Sequence, residues 1–132
     1  MKSNPPDVHQ SFLKNALPVF RSDERILGIA AAGSWISQSM DEYSDLDLIL
    51  ICDDSAFSAI LDDRLKISAQ LGTLVTAFTG EHVGEPRLLI CLFDEPLLHV
   101  DLKFVSLSDF SVRIEDPIIL WERTEDVSRQ IS

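Results

Sequence analysis

Three aspartates and a Gly-Ser dipeptide are the residues of this chain whose spacing could do chemistry. Gly33-Ser34 is followed after ten residues by Asp45-Leu46-Asp47, which leads directly into an apolar run that ends at Cys52. Asp101 lies inside a second apolar stretch, where a buried charge is costly unless something compensates it. A glycine turn lets backbone N–H groups approach phosphate oxygens, and hard divalent cations bind carboxylate oxygens. The set predicts a site for a phosphate-bearing ligand and its metal.

Strand geometry would bring these carboxylates to one face. Side chains alternate along a strand, so Asp45 and Asp47 face the same way, and Asp101 shares a face with His99 and Lys103. If the two strands are neighbours, three carboxylates meet and repel one another, which a bound Mg²⁺ relieves. Two such ions about 3.5–4 Å apart would stabilise the attacking and leaving oxygens of an in-line displacement at phosphorus.

Length and composition indicate a single globular domain. The chain has 132 residues, of which 45% are hydrophobic and 25% are charged, as in ordinary soluble domains. No apolar run approaches the roughly 20 residues of a membrane-spanning helix. The first six residues contain no apolar signal core, so we expect a cytoplasmic protein. Cys52 and Cys91 fall within apolar runs and are expected to be core residues rather than disulfide or zinc ligands.

The charge balance limits the possible partners. A formal net charge of -11 argues against a broad nucleic-acid surface, because phosphate-backbone binding depends on Lys and Arg. It suits a metal ion, an amine-bearing substrate or a basic protein, although solubility is the simplest explanation of the acidity.

The elements that must position the candidate residues follow from periodicity and turn signals. Together they indicate an α/β or α+β sheet with helices packed on it. The predicted helices are 7–20 and 56–71, the second capped by Asp53–Ser55 and closed by Gly72, with a short helical turn at 34–40. The predicted strands are 25–32, 45–52, 73–79, 87–93, 97–105 and 117–121. A hairpin joins 87–93 to 97–105, a loop is expected at 80–86, and a turn begins at Ser108.

The run of Gly33-Ser34, ten residues and Asp45-Leu46-Asp47, with Asp101 on a later strand, resembles the signature of the DNA polymerase β-like nucleotidyltransferase superfamily. Within it the sequence is similar to small bacterial nucleotidyltransferase domains, including aminoglycoside adenylyltransferases and minimal nucleotidyltransferases. The resemblance covers about residues 25–105 and implies one nucleotidyltransferase domain over 1–132, with a mixed β-sheet flanked by helices. It also implies Mg²⁺-dependent transfer of an NMP, AMP from ATP foremost, to a hydroxyl acceptor with release of pyrophosphate.

The resemblance assigns roles to individual residues. Gly33 and Ser34 match the phosphate-binding turn, and Asp45 and Asp47 match the metal-binding pair. Asp101 matches the third carboxylate, which binds metal or takes the proton of the acceptor hydroxyl. Two residues on the predicted face of Asp101 add candidates from the sequence itself. Lys103 could contact a phosphate or pair with a nearby aspartate, and His99 could support Asp101 or be a half-buried histidine with a satisfied hydrogen bond.

Several features depart from that pattern and leave a second hypothesis open. Trp35 follows the Gly-Ser pair, and the spacer 35–44 contains Asp41 and Glu42 but no Lys or Arg. The sequence printed ends at Ser132, without the C-terminal helical domain that holds the acceptor in such adenylyltransferases. The alternative is a catalytically weak or inactive module of the same fold that binds nucleotide or acts as an antitoxin-like regulatory partner. For an active transferase, we expect either that this sequence is an excised or truncated catalytic half or that another chain supplies the acceptor site. A helical partner protein or a second copy of the chain is the candidate for that other chain.

Competing motifs are less consistent with the sequence. The Gly-rich phosphate loop ending in Lys-Ser/Thr is absent. In glycosyltransferases an Asp-x-Asp pair typically comes after an apolar strand, whereas here the apolar run follows the pair. A haloacid-dehalogenase-type phosphatase would carry Thr where this chain has Ile49. We interpret Asp53 and Asp54 as a helix cap. Trp35 and Trp121 could stack a base, although packing in the core or at an interface is the expectation for each. Phe78 and Phe93 belong to apolar strands and are expected to be core residues.

Overall fold

A computed structural model describes residues 7–32, 46–80, 85–94, 98–113 and 118–130. Six strands form one mixed sheet in the order β3-β4-β5-β2-β1-β6, with helices on both faces. The strands are β1 (Ile26–Ala32), β2 (Leu46–Cys52), β3 (Thr73–Gly80), β4 (Glu85–Asp94), β5 (Leu98–Ser106) and β6 (Ile118–Glu122). The helices are α1 (Asp7–Ser22), α2 (Phe57–Asp62), α3 (Arg64–Ser68), α4 (Leu107–Arg113) and α5 (Asp126–Gln130), with a 3-10 turn at Asp54–Ala56.

The sheet has one parallel contact at its centre. β2 pairs in parallel with β5, whereas β1 pairs antiparallel with both β2 and β6. β4 pairs antiparallel with both β3 and β5, which confirms the predicted hairpin. Parallel neighbours need a long crossover, and here it is the segment from α2 through β4.

Helix α1 forms because its apolar residues recur at helical spacing. Phe12, Ala16 and Phe20 are buried along one stripe, and the Phe12 ring lies 5.0 Å from that of Phe93 on β4. The helix continues through Pro18 to Ser22. The proline removes one backbone donor, but the packed stripe on both sides of it keeps the helix continuous.

Two apolar clusters hold the sheet. The larger cluster lies between α1, α2, α3 and one face of the sheet, and it includes Leu46, Leu48 and Leu50 of β2. The smaller cluster lies on the opposite face, where Ile49 and Ile51 of β2 meet α4 and α5. Because successive strand residues face opposite sides, β2 is buried on both faces along most of its length. Its buried residues account for the apolar run in the sequence.

The single helix predicted over 56–71 is wrong in detail. The structure has the 3-10 turn, α2 and α3, and the last helical residue is Ser68 rather than Leu71. The break is at Asp63, which has φ -95° and ψ 2°. Its carboxylate accepts a hydrogen bond of 2.9 Å from Nη1 of Arg25. That tertiary ion pair fixes Asp63 at the junction of the two helices.

The segment after β5 also differs from the prediction. Leu107–Arg113 is a helix rather than a turn, and α5 was not predicted. Phe110 is fully buried in the smaller cluster, and the Ser108 amide donates to Asp54 Oδ1 at 3.1 Å near the start of α4. Burial of one apolar face and a side-chain acceptor at its first turn stabilise this short helix.

Strand β3 lies at one edge of the sheet, which corrects the expectation that Phe78 is a core residue. Its relative exposure is 49%, whereas Phe93 on β4 is 2% exposed, as expected. Strand β4 begins at Glu85, two residues before the predicted start at Arg87. The remaining strand predictions agree to within a residue or two, and the predicted turn at 34–40 lies outside the described residues.

Several smaller predictions are confirmed. Asp53 caps the 3-10 turn by accepting from the Ser55 amide at 2.9 Å. Cys52 and Cys91 are buried free thiols. Trp121 packs against the larger cluster, and the Arg123 guanidinium lies 5.0 Å from its ring centroid. Across the described ranges, every helix is too short or too polar to span a bilayer.

Candidate functional site

The two described aspartates of the predicted site are direct neighbours in the sheet. Asp47 of β2 is the register partner of Asp101 of β5 in the parallel pairing. Partners on adjacent parallel strands lie about 4.8 Å apart and project to the same face. The sequence-based expectation that these strands are neighbours is therefore confirmed for this pair.

Local sequence explains why both carboxylates face away from the larger cluster. On β5 the buried residues Val100 and Leu102 alternate with half-buried His99, Asp101 and Lys103. On β2 Asp47 is half-buried between fully buried leucines. On the same face, Ile49 and Ile51 of β2 and Val105 of β5 belong to the smaller cluster. Asp47 is the second residue of β2 and Asp101 is the fourth residue of β5, so both carboxylates precede those cluster residues along their strands.

A histidine is bonded to one of the two carboxylates. His99 Nε2 lies 2.8 Å from Asp101 Oδ1, and the two side chains are 40% and 24% exposed. An ionised carboxylate can only accept, so the Nε2–H tautomer donates this bond. The sequence pattern indicated that the two residues share a face, but alternation alone does not specify a hydrogen bond between residues two apart on one strand.

The last residue of β1 lies beside Asp47 in the sheet. Ala32, its last residue, is paired with Asp47, and Gly33 follows Ala32 in the chain. Gly33, Ser34 and Asp45 lie outside the described residues. The predicted grouping of Gly33, Ser34 and three carboxylates is thus described only for Asp47 and Asp101, with β1 ending beside them.

On the other side of Asp101 the face becomes apolar. Ile90 of β4 is the register partner of Asp101, and Leu88 is the partner of Lys103. Both apolar side chains are half-buried. Lys103 also pairs with Ile49 of β2, so it lies two residues further along β5 than Asp101, as Ile49 does from Asp47 on β2. The lysine is therefore positioned on the same face as the two carboxylates.

The charge of Asp101 also affects the pKa of a thiol on the other face of the sheet. Burial raises the pKa of the Cys91 thiol to about 12, and the negative charge of Asp101 contributes to that rise. Cys91 is the register partner of Val100, next to Asp101 in the chain. Burial is the larger cause, and the charge of Asp101 adds to it.

The two described carboxylates supply some of the oxygen ligands that a hard divalent cation needs. No group of three or more His, Cys, Asp or Glu side chains suited to hold a metal occurs within the ranges that the structure describes. Mg²⁺ usually takes one or two carboxylates together with phosphate oxygens and water. Asp47 and Asp101 supply two carboxylates on one face, which is the protein contribution that such an ion requires.

One cavity of the described structure lies away from the two carboxylates. Its volume is about 520 Å³, and it is lined by residues that include Ser22, Asp23 and Arg25, next to the first residue of β1. Asp47 pairs with the last residue of β1, and a seven-residue strand spans roughly 20 Å. The Asp23–Arg25 and Arg25–Asp63 ion pairs, with contacts of 2.7 and 2.9 Å, give Asp23 and Arg25 a structural role.

The chain has the nucleotidyltransferase (polymerase β-like) fold, an α+β architecture with a six-stranded mixed sheet and flanking helices. It is similar to the STING-associated CdnE c-di-GMP synthase from Capnocytophaga granulosa, with a TM-score of 0.52 and 18% sequence identity over 87% of this chain. The chain spans 38% of the length of that synthase. No protein-family model and no curated protein sequence matches it. At this level of identity the similarity establishes the fold alone.

Proposed function

We propose that this chain is a nucleotidyltransferase domain that transfers an NMP, AMP foremost, from an NTP to a hydroxyl acceptor with release of pyrophosphate. The observation that supports it most directly is the register pairing of Asp47 with Asp101 on the two parallel strands. The fold of the c-di-GMP synthase supports it independently. Because that protein makes a guanine dinucleotide, GTP belongs beside ATP among the candidate substrates.

In this proposal Asp47 and Asp101 hold the divalent metal together with Asp45. A bound ion would supply neutralisation of the negative charge on the phosphate oxygens. Gly33 and Ser34 bind the β- and γ-phosphates through backbone N–H groups and a hydroxyl. Lys103, on the face of the two carboxylates, contacts a phosphate oxygen as a point charge.

The transfer itself is an in-line displacement at the α-phosphorus. The acceptor oxygen forms a bond to that phosphorus while the bond from phosphorus to the bridging oxygen breaks, and pyrophosphate leaves with the bond electrons. Asp101 acts here as a metal ligand, and the proton of the acceptor hydroxyl is released to water. The protein contributes mainly position and electrostatic complementarity, since phosphoryl transfer needs little covalent help.

The proposal is tested by calorimetric titration of ATP and GTP in Mg²⁺ with the unaltered chain and with Asp47→Asn and Asp101→Asn. We expect nucleotide binding by the unaltered chain and its loss in both variants, with circular dichroism unchanged. Asp62→Asn makes the same chemical change on the exposed part of α2 and should bind normally. Equal binding by all four proteins would overturn the site assignment.

One observation favours the second function, a module of this fold that binds nucleotide without turnover. The spacer 35–44 carries two acidic residues and no Lys or Arg that could hold phosphate. Incubation with labelled ATP or GTP, Mg²⁺ and candidate acceptors separates the two functions. Pyrophosphate release together with a labelled acceptor establishes transfer, whereas nucleotide binding without either product supports the regulatory module. In that case we expect the module to bind a helical partner protein or a second copy of this chain.

A further inference from the structure

The hydrogen bond between His99 and Asp101 has a consequence for how Asp101 meets a cation. The Nε2–H group of His99 points at Oδ1 from 2.8 Å, so one of the two carboxylate oxygens already has a donor. That bond fixes the plane of the carboxylate and therefore the direction of the other oxygen, Oδ2. Asp101 is 24% exposed in its side chain, so the carboxylate is partly accessible to solvent.

We propose that His99 is a positioning residue that restricts Asp101 to one-oxygen binding of the cation. The proposal rests on the proposed function of the site and specifies its selectivity. Hydrogen bonds to ligating carboxylates orient them, and loss of such a partner typically lowers metal affinity. The bond holds Oδ1 towards the imidazole and fixes the plane of the carboxylate, so that in this proposal Oδ2 is presented to the cation in a fixed direction and Oδ1 is turned away from it.

The restriction matters because two common cations differ in what they accept from a carboxylate. Mg²⁺ requires near-octahedral geometry with short bonds, whereas Ca²⁺ accepts a carboxylate through one or both oxygens in flexible geometry. A carboxylate held to one oxygen therefore favours Mg²⁺. Release of Oδ1 makes two-oxygen binding possible and favours Ca²⁺.

The arrangement of neighbouring residues is consistent with a specific role for the imidazole Nε2. The register partner of Asp101 on β4 is Ile90 and that of His99 is Leu92, both apolar. Neither of these side chains can donate to Oδ1. Among the hydrogen bonds that the described structure shows for Asp101, the one from His99 fixes Oδ1.

The test measures cation binding without turnover. Mn²⁺ binding to the full chain is followed by the loss of the free-ion signal in electron paramagnetic resonance, in the presence of a non-hydrolysable ATP analogue. Mg²⁺ or Ca²⁺ is then added to displace it. For His99→Ala we expect Mn²⁺ and Mg²⁺ affinities to fall about 10-fold while Ca²⁺ affinity is retained, so that the Ca²⁺-to-Mg²⁺ ratio rises by a similar factor.

Two conservative variants separate position from packing. The amide nitrogen of Gln reaches the place of imidazole Nε2, whereas that of Asn reaches the place of Nδ1. His99→Gln should therefore restore the ratio of the unaltered chain, and His99→Asn should behave as His99→Ala does. Thr76→Ala changes an exposed residue of the same sheet on β3 and should leave all three affinities unchanged.

The outcomes distinguish this proposal from the proposed function. Absence of Mn²⁺ binding by the unaltered chain overturns both. Normal Mn²⁺ binding with an unchanged Ca²⁺-to-Mg²⁺ ratio in His99→Ala overturns the role of His99 alone. If His99→Ala does not fold, the comparison of Gln with Asn decides: equal ratios overturn the positioning role, and a difference in the expected direction supports it.

Discussion

Asp47 and Asp101 are direct partners in the one parallel strand pair of the described sheet. Each belongs to a strand whose remaining residues are largely buried. This relationship brings two carboxylates to one face without any help from a loop. A site carried by central strands is more rigid than one carried by loops, so the pair should keep its spacing in the absence of ligand.

The first prediction concerns ligand-dependent stability. A ligand that binds only the folded state at 100 times its Kd stabilises it by about 2.7 kcal/mol. Mg²⁺ with ATP or GTP should therefore raise the Tm of the unaltered chain, and EDTA should abolish the rise. Asp47→Asn should show no rise, whereas the exposed-site variant Asp62→Asn should respond as the unaltered chain does. A Tm increase that survives EDTA would contradict metal-dependent binding.

The second prediction concerns the contact between β1 and α5. A Cβ atom at Gly28 would lie 2.9 Å from Val127 Cγ2 and 3.1 Å from the Trp121 carbonyl oxygen. Gly28→Ala should lower the free energy of unfolding by about 1–3 kcal/mol through overpacking, as measured by urea denaturation. At Gly72 the nearest atom would be Phe93 Cδ1 at 3.4 Å, so Gly72→Ala should be close to neutral.

A double variant makes this explanation sharper. Val127→Ala removes both methyl groups that approach the added Cβ, while the Trp121 carbonyl oxygen at 3.1 Å remains. Gly28→Ala combined with Val127→Ala should therefore be less destabilised than the sum of the two single variants. Additive effects would show that the cost of Gly28→Ala arises from the backbone and not from the contact with α5.

The third prediction concerns acid stability. The hydrogen bond from the Arg25 side chain lowers the pKa of Asp23 below its ordinary value of 3.8. A depressed folded-state pKa contributes stability above the unfolded value, and that contribution disappears as the pH falls through the folded value. Asp23→Asn should thus cost about 1 kcal/mol at pH 7, and the difference should shrink steadily below pH 3.8.

Urea denaturation at a series of pH values measures this difference. Asp62→Asn, an exposed carboxylate on α2, serves as the control and should show a small difference at every pH. A cost of Asp23→Asn that stays constant or grows as the solution becomes more acidic would contradict the assigned role of the Arg25 bond.

The fourth prediction uses the two buried thiols as reporters. Burial raises the pKa of Cys52 and of Cys91 to about 12, so very little thiolate is present at pH 8. Because the thiolate is the nucleophile, both should react with a disulfide reagent far more slowly in the native protein than in urea. Rapid reaction of either thiol under native conditions would show that its side of the core opens without global unfolding.

Much of the sheet was predictable because its strands follow local rules. The alternation of His99, Asp101 and Lys103 with buried residues identified the polar face of β5, and the short link between β4 and β5 indicated the hairpin. The adjacency of β2 and β5 was a hypothesis from the residues, strengthened by the superfamily resemblance. Periodicity alone does not determine which strands pair across a long crossover.

The parts that were missed depend on contacts distant in sequence. The break between α2 and α3 is stabilised by Arg25, which lies on the other side of β2 in the chain. Helix α4 begins beside Asp54, which is separated from Ser108 by three strands. Phe78 is exposed because β3 has no described neighbour on its outer side. None of these relationships leaves a pattern within a short window of sequence.

The order of the strands along the chain also determines when the carboxylate pair can form during synthesis. Asp47 is made early, but its partner strand β5 is separated from β2 by α2, α3, β3 and β4. Protein synthesis proceeds from the N-terminus, and domains fold as the chain leaves the ribosome. A nascent chain that has not yet released β5 holds Asp47 without its partner, so the ability to bind a cation should arise late on the ribosome, after most of this sheet has been translated.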